Sequence, residues 1–172
     1  TSCVAHSKLQ HPDLHWAFPF FKKDSSGRSI SDPFQTDWRE VMIDSAYVGQ
    51  EEWIAKIGAD KKQLFIAVDE ALEINRKLGL KAFHGGYKVL IFWLPETMRV
   101  DTANKLLKLI EEPTDNTVML FVSQNSDRLL ATILSRLQRV KVPRLSDEDA
   151  ASGLAKIAGL TIDQAMGWVH VT

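Results

Sequence analysis

Two short apolar runs that do not alternate with polar residues constrain this chain more than any other feature: Val89-Leu90-Ile91-Phe92-Trp93-Leu94 and Val118-Met119-Leu120-Phe121-Val122. Runs of this kind suit strands covered on both faces, as in a parallel sheet under helices. Between them lies Asp101 to Pro113, where Ala103, Leu106, Leu107 and Ile110 fall at i, i+3, i+4 and i+7 and draw one stripe along a helix. Asp101 suits its N-cap and Pro113 its end. A short helical stretch is expected from Ser126 to Leu134. Then Arg139-Val140-Lys141-Val142 alternates as a further strand, valines inward and cations outward. Strand, helix, strand, helix, strand with short links is a βαβ array, so the pattern predicts an α/β fold.

Composition bounds what such a fold can be. A chain of 172 residues, 45% hydrophobic and 25% charged, can bury one substantial core with an appendage. The formal net charge of −1 argues against a global basic field for nucleic acid or membranes. No apolar run approaches the roughly 18 residues of a membrane span, and no signal-peptide pattern opens the chain. A single cysteine excludes an internal disulfide and fits a reducing cytosol. The expectation is a cytoplasmic protein.

The remaining segments add detail. The chain opens without Met, and reads as a fragment or a processed product. Leu14, Trp16 and Phe18 alternate after Pro12, as a strand would. Lys22 to Ser31, with Ser25-Ser26-Gly27, reads as a flexible loop. Two helical segments follow between Asp37 and Ile57: Trp38, Val41, Met42 and Ser45 share one face, then Trp53, Ile54 and Ile57, with Gly58 as a stop. The tryptophans either anchor these helices to their own domain or mark a docking surface. Asp69 can cap a helix that buries Ala71, Ile74 and Leu78. Gly85-Gly86 turns the chain into the first apolar run. Past Pro143, Ser146-Asp147-Glu148-Asp149 is a cap with acids in the first turn, and Ala151, Leu154, Ile157 and Ala158 make a stripe. A second helix starts near Thr161.

Three pieces together resemble a known family. Lys88-Val89 before the first run, Ala103-Asn104-Lys105-Leu106-Leu107-Lys108-Leu109-Ile110-Glu111-Glu112-Pro113, and Thr132-Ile133-Leu134-Ser135-Arg136 are similar to the bacterial DNA polymerase III clamp-loader ATPases of the AAA+ superfamily. The resemblance runs from about Cys3 to Leu145. It implies a partial P-loop/AAA+ type parallel sheet flanked by helices over 1–145, interrupted by a helical insert at 22–64. The start of a small helical lid domain follows at 146–172.

The resemblance also carries chemistry. No G-x-x-x-x-G-K-[ST] occurs in these residues. Active relatives end the strand after Lys-Val in Asp-Glu, where Mg²⁺ is held; the matching positions here are Trp93 and Leu94, which cannot hold it. Glu96, two positions on, is a poor substitute. Ser123 or Gln124, at the next strand's end, could face a γ-phosphate or simply terminate the strand. Arg136 matches the arginine that completes a neighbouring subunit's ATP site, though an arginine there also caps the short helix before it. Glu111 and Glu112 oppose the dipole at a helix end, so either solvent tolerates them or a basic partner sits nearby.

Cys3 lies eight positions before His11-Pro12-Asp13 and resembles the last ligand of the family's four-cysteine zinc module. A plain thiol is the other reading, since a lone cysteine cannot hold zinc. His6, His11 and His15 more simply make local hydrogen bonds. What the resemblance implies is a non-hydrolysing stator subunit, delta prime, supporting sliding-clamp loading in DNA replication and donating Arg136 as an arginine finger. Its partners would be the other clamp-loader subunits, with the sliding clamp and primed DNA reached through the assembly, and no membrane. No cofactor is implied in this stretch, and zinc in the full-length protein. The alternatives are an ATP-hydrolysing subunit of the gamma/tau kind and an adaptor with no link to ATP.

Overall fold

The computed structural model describes residues 2–22, 27–45, 48–83 and 85–169. It contains helix α1 (Ser2–Ser7), strand β1 (Leu14–Ala17), helices α2 (Gln35–Asp44), α3 (Gln50–Ile57) and α4 (Val68–Leu78), then strand β2 (Lys88–Trp93). Helix α5 (Val100–Glu111), strand β3 (Thr117–Val122) and helices α6 (Ala131–Leu134), α7 (Asp147–Ala158) and α8 (Ile162–Val169) complete it, with short 3₁₀ turns at Asp32–Phe34, Pro95–Thr97 and Ser126–Arg128. Two compact units divide the chain, Thr1–Gln138 and Arg139–Thr172. The loop expectation at Ser25-Ser26 lies outside the described residues.

The strands form one parallel sheet in the order β1-β2-β3. In register, Ala17, Phe92 and Phe121 lie side by side, as do Leu90 and Met119. This face packs against α4, α5 and α6 through Ala71, Ile74, Leu78, Leu106, Leu109, Ile110 and Ile133. Phe92 stacks on Phe121 at 4.5 Å between centroids. The α4 and α5 stripes predicted from spacing are therefore the ones buried, apart from half-buried Leu107.

The opposite face differs from the expectation of full cover. Val118, Leu120 and Val122 stand 40%, 47% and 51% exposed, so β3 alternates rather than being buried on both sides. Helices pack on one face of β3 only; at the β1 and β2 end, an aromatic cluster covers the other. Phe18, Trp38, Trp53 and Trp93 are its centre. Trp38 lies 4.5 Å from Phe18, 5.1 Å from Trp53 and 4.9 Å from Trp93, and the Trp53 indole donates to Pro19 O at 2.7 Å. Trp38 of α2 and Trp53 of α3 are fully buried; they anchor α2 and α3 to the sheet, and Gly58 ends α3 at φ 65°.

Three local expectations need correction. Asp69 and Asp101 do not cap: Ala67 and Arg99 occupy the N-cap positions, and each aspartate sits inside the first turn. An acid there still complements the dipole, and Asp69 instead accepts the Ser29 N–H at 2.8 Å. The strand expected at Arg139–Val142 does not form. Val140 and Val142 are 81% and 86% exposed, because no neighbouring strand among the described residues offers them a ladder. In the second unit Ser146 caps α7 as expected, accepting the Asp149 N–H at 3.1 Å. Ile157, assigned to the apolar stripe, is nevertheless 86% exposed, since α7 has little beyond α8 to bury it against.

Two buried charges tie the first unit together. Lys88 donates to Leu78 O, to Leu80 O at 2.9 Å and to Thr114 Oγ1 at 2.9 Å, closing the C-terminal end of α4 with a cation. Glu70 accepts both the N–H (2.6 Å) and the hydroxyl (2.8 Å) of Ser31. Burial pushes the Glu70 carboxyl above its usual value, with the Ser31 bonds opposing it.

Candidate functional site

In a parallel α/β sheet, ligands bind outside the carboxyl ends of the strands. Here β2 ends in Trp93, 8% exposed; Leu94, 1% exposed, follows it, and the chain turns there with φ 52°. Trp93 belongs to the aromatic cluster and Leu94 packs with it. Neither side chain offers a metal an oxygen. Glu96 follows on the 3₁₀ turn, and its Oε1 accepts the backbone N–H groups of Gln124 (3.1 Å) and Asn125 (3.2 Å). That carboxylate organises the turn after β3, a role its sequence context did not signal. Ser123 likewise works locally, accepting the Asn125 N–H at 3.2 Å.

Arg136 stands elsewhere. Its Nε and Nη2 both lie 2.5 Å from Glu111 Oε1, and Nη1 donates to Thr132 O (2.7 Å) and Ser135 Oγ (3.2 Å). The guanidinium thus caps α6 and pairs with the last residue of α5, while its side chain keeps 32% of its surface exposed. Glu111 finds the basic partner that its place at a helix end called for.

Helix α5 separates the two regions. It begins just beyond Glu96 and ends at Glu111, 12 residues in all, or about 18 Å at the α-helical rise. Arg136 makes its contacts with Glu111 at the C-terminal end of α5 and with Thr132 and Ser135, and none of them is with the residues that end β2. The arrangement can present a cation outward at one end of the domain.

Cys3 is exposed on α1. Among the described residues no group of three or more His, Cys, Asp or Glu side chains could hold a metal ion, so these residues by themselves do not make a zinc site. His6 stacks on His11 at 4.4 Å, and His11 Nδ1 accepts the Asp13 N–H at 3.1 Å. No helix among the described residues is long and apolar enough to cross a membrane.

The model of the family described as DNA polymerase III, delta subunit, matches residues 1–146. The chain belongs to this family. Among relatives of the delta-subunit family, the DNA polymerase III subunit delta' of Pseudomonas aeruginosa is 40% identical over 78 residues, 45% of this chain and 24% of that protein. The Haemophilus influenzae subunit delta' is 41% identical over 73 residues, 42% of this chain and 22% of that protein. That of Escherichia coli is 34% identical over 82 residues, 46% of this chain and 24% of that protein. The chain thus spans about a quarter of the length of the curated relatives it matches. A solved DNA polymerase III gamma subunit-related protein from Thermotoga maritima aligns over 97% of this chain and 58% of its own, at 17% identity and a TM-score of 0.48.

Proposed function

We propose that this chain is part of a non-hydrolysing clamp-loader subunit of DNA polymerase III, the delta prime stator, which donates Arg136 to the ATP site of a neighbouring subunit. Sliding-clamp loading onto primed DNA is the process it would serve, with the other clamp-loader subunits as direct partners. Membership of the delta-subunit family supports the assembly. The separation of Arg136 from its own strand ends carries the division of labour. A cation at one end of α5 and buried Trp93 and Leu94 at the other suit a protomer that completes another's site and lacks one of its own. A guanidinium set against a transferring phosphoryl group stabilises its spread charge, worth about 10³–10⁵ in rate for arginine fingers.

The test is ATP turnover. The full-length protein alone should turn over no ATP. In a reconstituted complex, Arg136→Ala should lower the rate by about a thousandfold or more at the adjoining site, and Arg136→Lys should rescue little, because an ammonium lacks the planar fork. Unchanged complex turnover on Arg136→Ala would leave an adaptor without an ATP role; substantial turnover alone would restore the hydrolysing subunit.

A further inference from the structure

In the lone chain the Arg136 guanidinium is already occupied. A guanidinium carries five N–H donors, one on Nε and two on each terminal nitrogen. Nε and Nη2 both lie 2.5 Å from Glu111 Oε1, while Nη1 spends its two hydrogens on Thr132 O at 2.7 Å and Ser135 Oγ at 3.2 Å. Four of the five donors are thus engaged, and one N–H on Nη2 remains.

The two sides of the group do different jobs. Nη1 ties the side chain to the end of α6, by bonds to residues close in the chain. The Nε–Nη2 side is a fork that takes a carboxylate or a phosphate through two N–H groups, and Glu111 fills it. A phosphate reaches that fork only when Glu111 leaves it. Glu111 ends α5, where a carboxylate opposes the helix dipole, and its pairing with Arg136 offsets that cost. The two side chains are 32% and 45% exposed. An ion pair of that exposure is worth no more than about fivefold in an equilibrium, so a more highly charged phosphate displaces it.

We propose that Glu111 is a latch on Arg136. Its carboxylate holds the Nε–Nη2 fork in the unassembled subunit and yields it to the γ-phosphate of a neighbouring subunit's ATP, which rests on the reading of Arg136 as a donor to that site. The contact between subunits then depends on the nucleotide. ATP supplies an anion that offsets the opening of the pair, whereas ADP has no γ-phosphate and leaves the fork on Glu111.

The measurement is the affinity of the full-length protein for its neighbouring ATP-binding subunit, loaded with a non-hydrolysable ATP analogue or with ADP, at fixed ionic strength. Glu111→Gln should tighten binding about two- to fivefold with the analogue and leave it unchanged with ADP. Glu111→Ala, which removes the acceptor as well, should tighten it at least as much. In an Arg136→Ala background neither substitution should act, because a pairwise coupling vanishes with either partner. Glu112→Gln makes the same change of charge at the adjacent exposed residue and should have no effect.

The latch is overturned if Glu111→Gln weakens binding with the analogue, leaves it unchanged, or tightens it equally with ADP. Arg136→Ala separates that failure from failure of the underlying reading. Loss of analogue-dependent binding on Arg136→Ala, with Glu111→Gln silent, removes the latch alone; no effect of Arg136→Ala with either nucleotide removes both.

Discussion

Removing the Glu70 carboxylate tests how the first unit holds its insert. Glu70 is 1% exposed and takes two hydrogen bonds from Ser31, itself 0% exposed. Hydrogen bonds to a charged acceptor are worth roughly 1.5–3 kcal/mol each. The raised pKa shows that burial costs the carboxylate more than Ser31 returns, so the two bonds do not count in full. Glu70→Ala relieves that burial cost but orphans the Ser31 N–H and hydroxyl, and should destabilise by about 3 kcal/mol. Glu70→Gln keeps one acceptor oxygen, sheds the charge, and should cost about 1 kcal/mol.

The pH dependence gives this reasoning a second edge. A carboxyl with a raised folded pKa keeps its proton in the native state after the unfolded chain has lost it. Its contribution is fully present below the unfolded value near 4.5 and fades as pH rises through the folded one. The stability gap between the native chain and Glu70→Gln should therefore narrow as pH climbs above that value. Urea unfolding followed by tryptophan fluorescence reads the first unit, since four of the five tryptophans lie there. A Glu70→Ala midpoint equal to the parent's, or a gap that widens with pH, would refute the account.

Three further outcomes follow from the geometry. The Arg136–Glu111 pair is 32% and 45% exposed, so Glu111→Gln should change stability by less than about 1 kcal/mol. In the reconstituted complex it should shift ATP turnover by no more than about fivefold; a thousandfold loss would make Glu111 a positioning residue in its own right. Trp53→Phe leaves Pro19 O without its indole donor and should cost about 1–2 kcal/mol, whereas Trp53→Ala also opens a cavity and should cost about 3–5 kcal/mol in urea unfolding. Lys88→Met strips the cation from the end of α4, and thermal melts should show a loss of about 2–3 kcal/mol.

Spacing made the architecture legible because period and burial coincide in β2, α4 and α5. It failed where a partner element decides the outcome. Val140 and Val142 alternate well enough for a strand, but alternation forms no ladder without a neighbour. Val118, Leu120 and Val122 sit in an unbroken apolar run, yet a run cannot say how many faces helices will cover. Asp69 and Asp101 each sit two residues inside the N-cap, since an acid near a helix start suits the dipole whether or not it caps. Arg136 was singled out only by its motif; nothing local distinguishes it from a helix cap, and its bond to Thr132 O makes it one. Glu70 carried no signal and Lys88 only its place in the motif, because their contacts rest on residues eight to thirty-nine positions away.

The apolar end of β2 and the aromatic cluster around Trp38 and Trp53 are one structural fact. A magnesium-holding carboxylate needs water and polar company, whereas Trp93 is wedged 4.9 Å from Trp38 and Leu94 is sealed at 1% exposure. Restoring Asp at position 93 would delete a buried indole, at about 3–5 kcal/mol, and set an unpaired carboxylate against aromatic rings, at several kcal/mol more. Against a total stability of roughly 5–15 kcal/mol, that substitution alone would remove half or more of it. The helices at 35–57 thus fix Trp93 where it stands. Arg136 lies outside this packing, paired with Glu111 at the C-terminal end of α5, their side chains 32% and 45% exposed. The aromatic packing at the end of β2 and the Arg136–Glu111 pair are thus separate features of the unit, and a change in one leaves the contacts of the other in place.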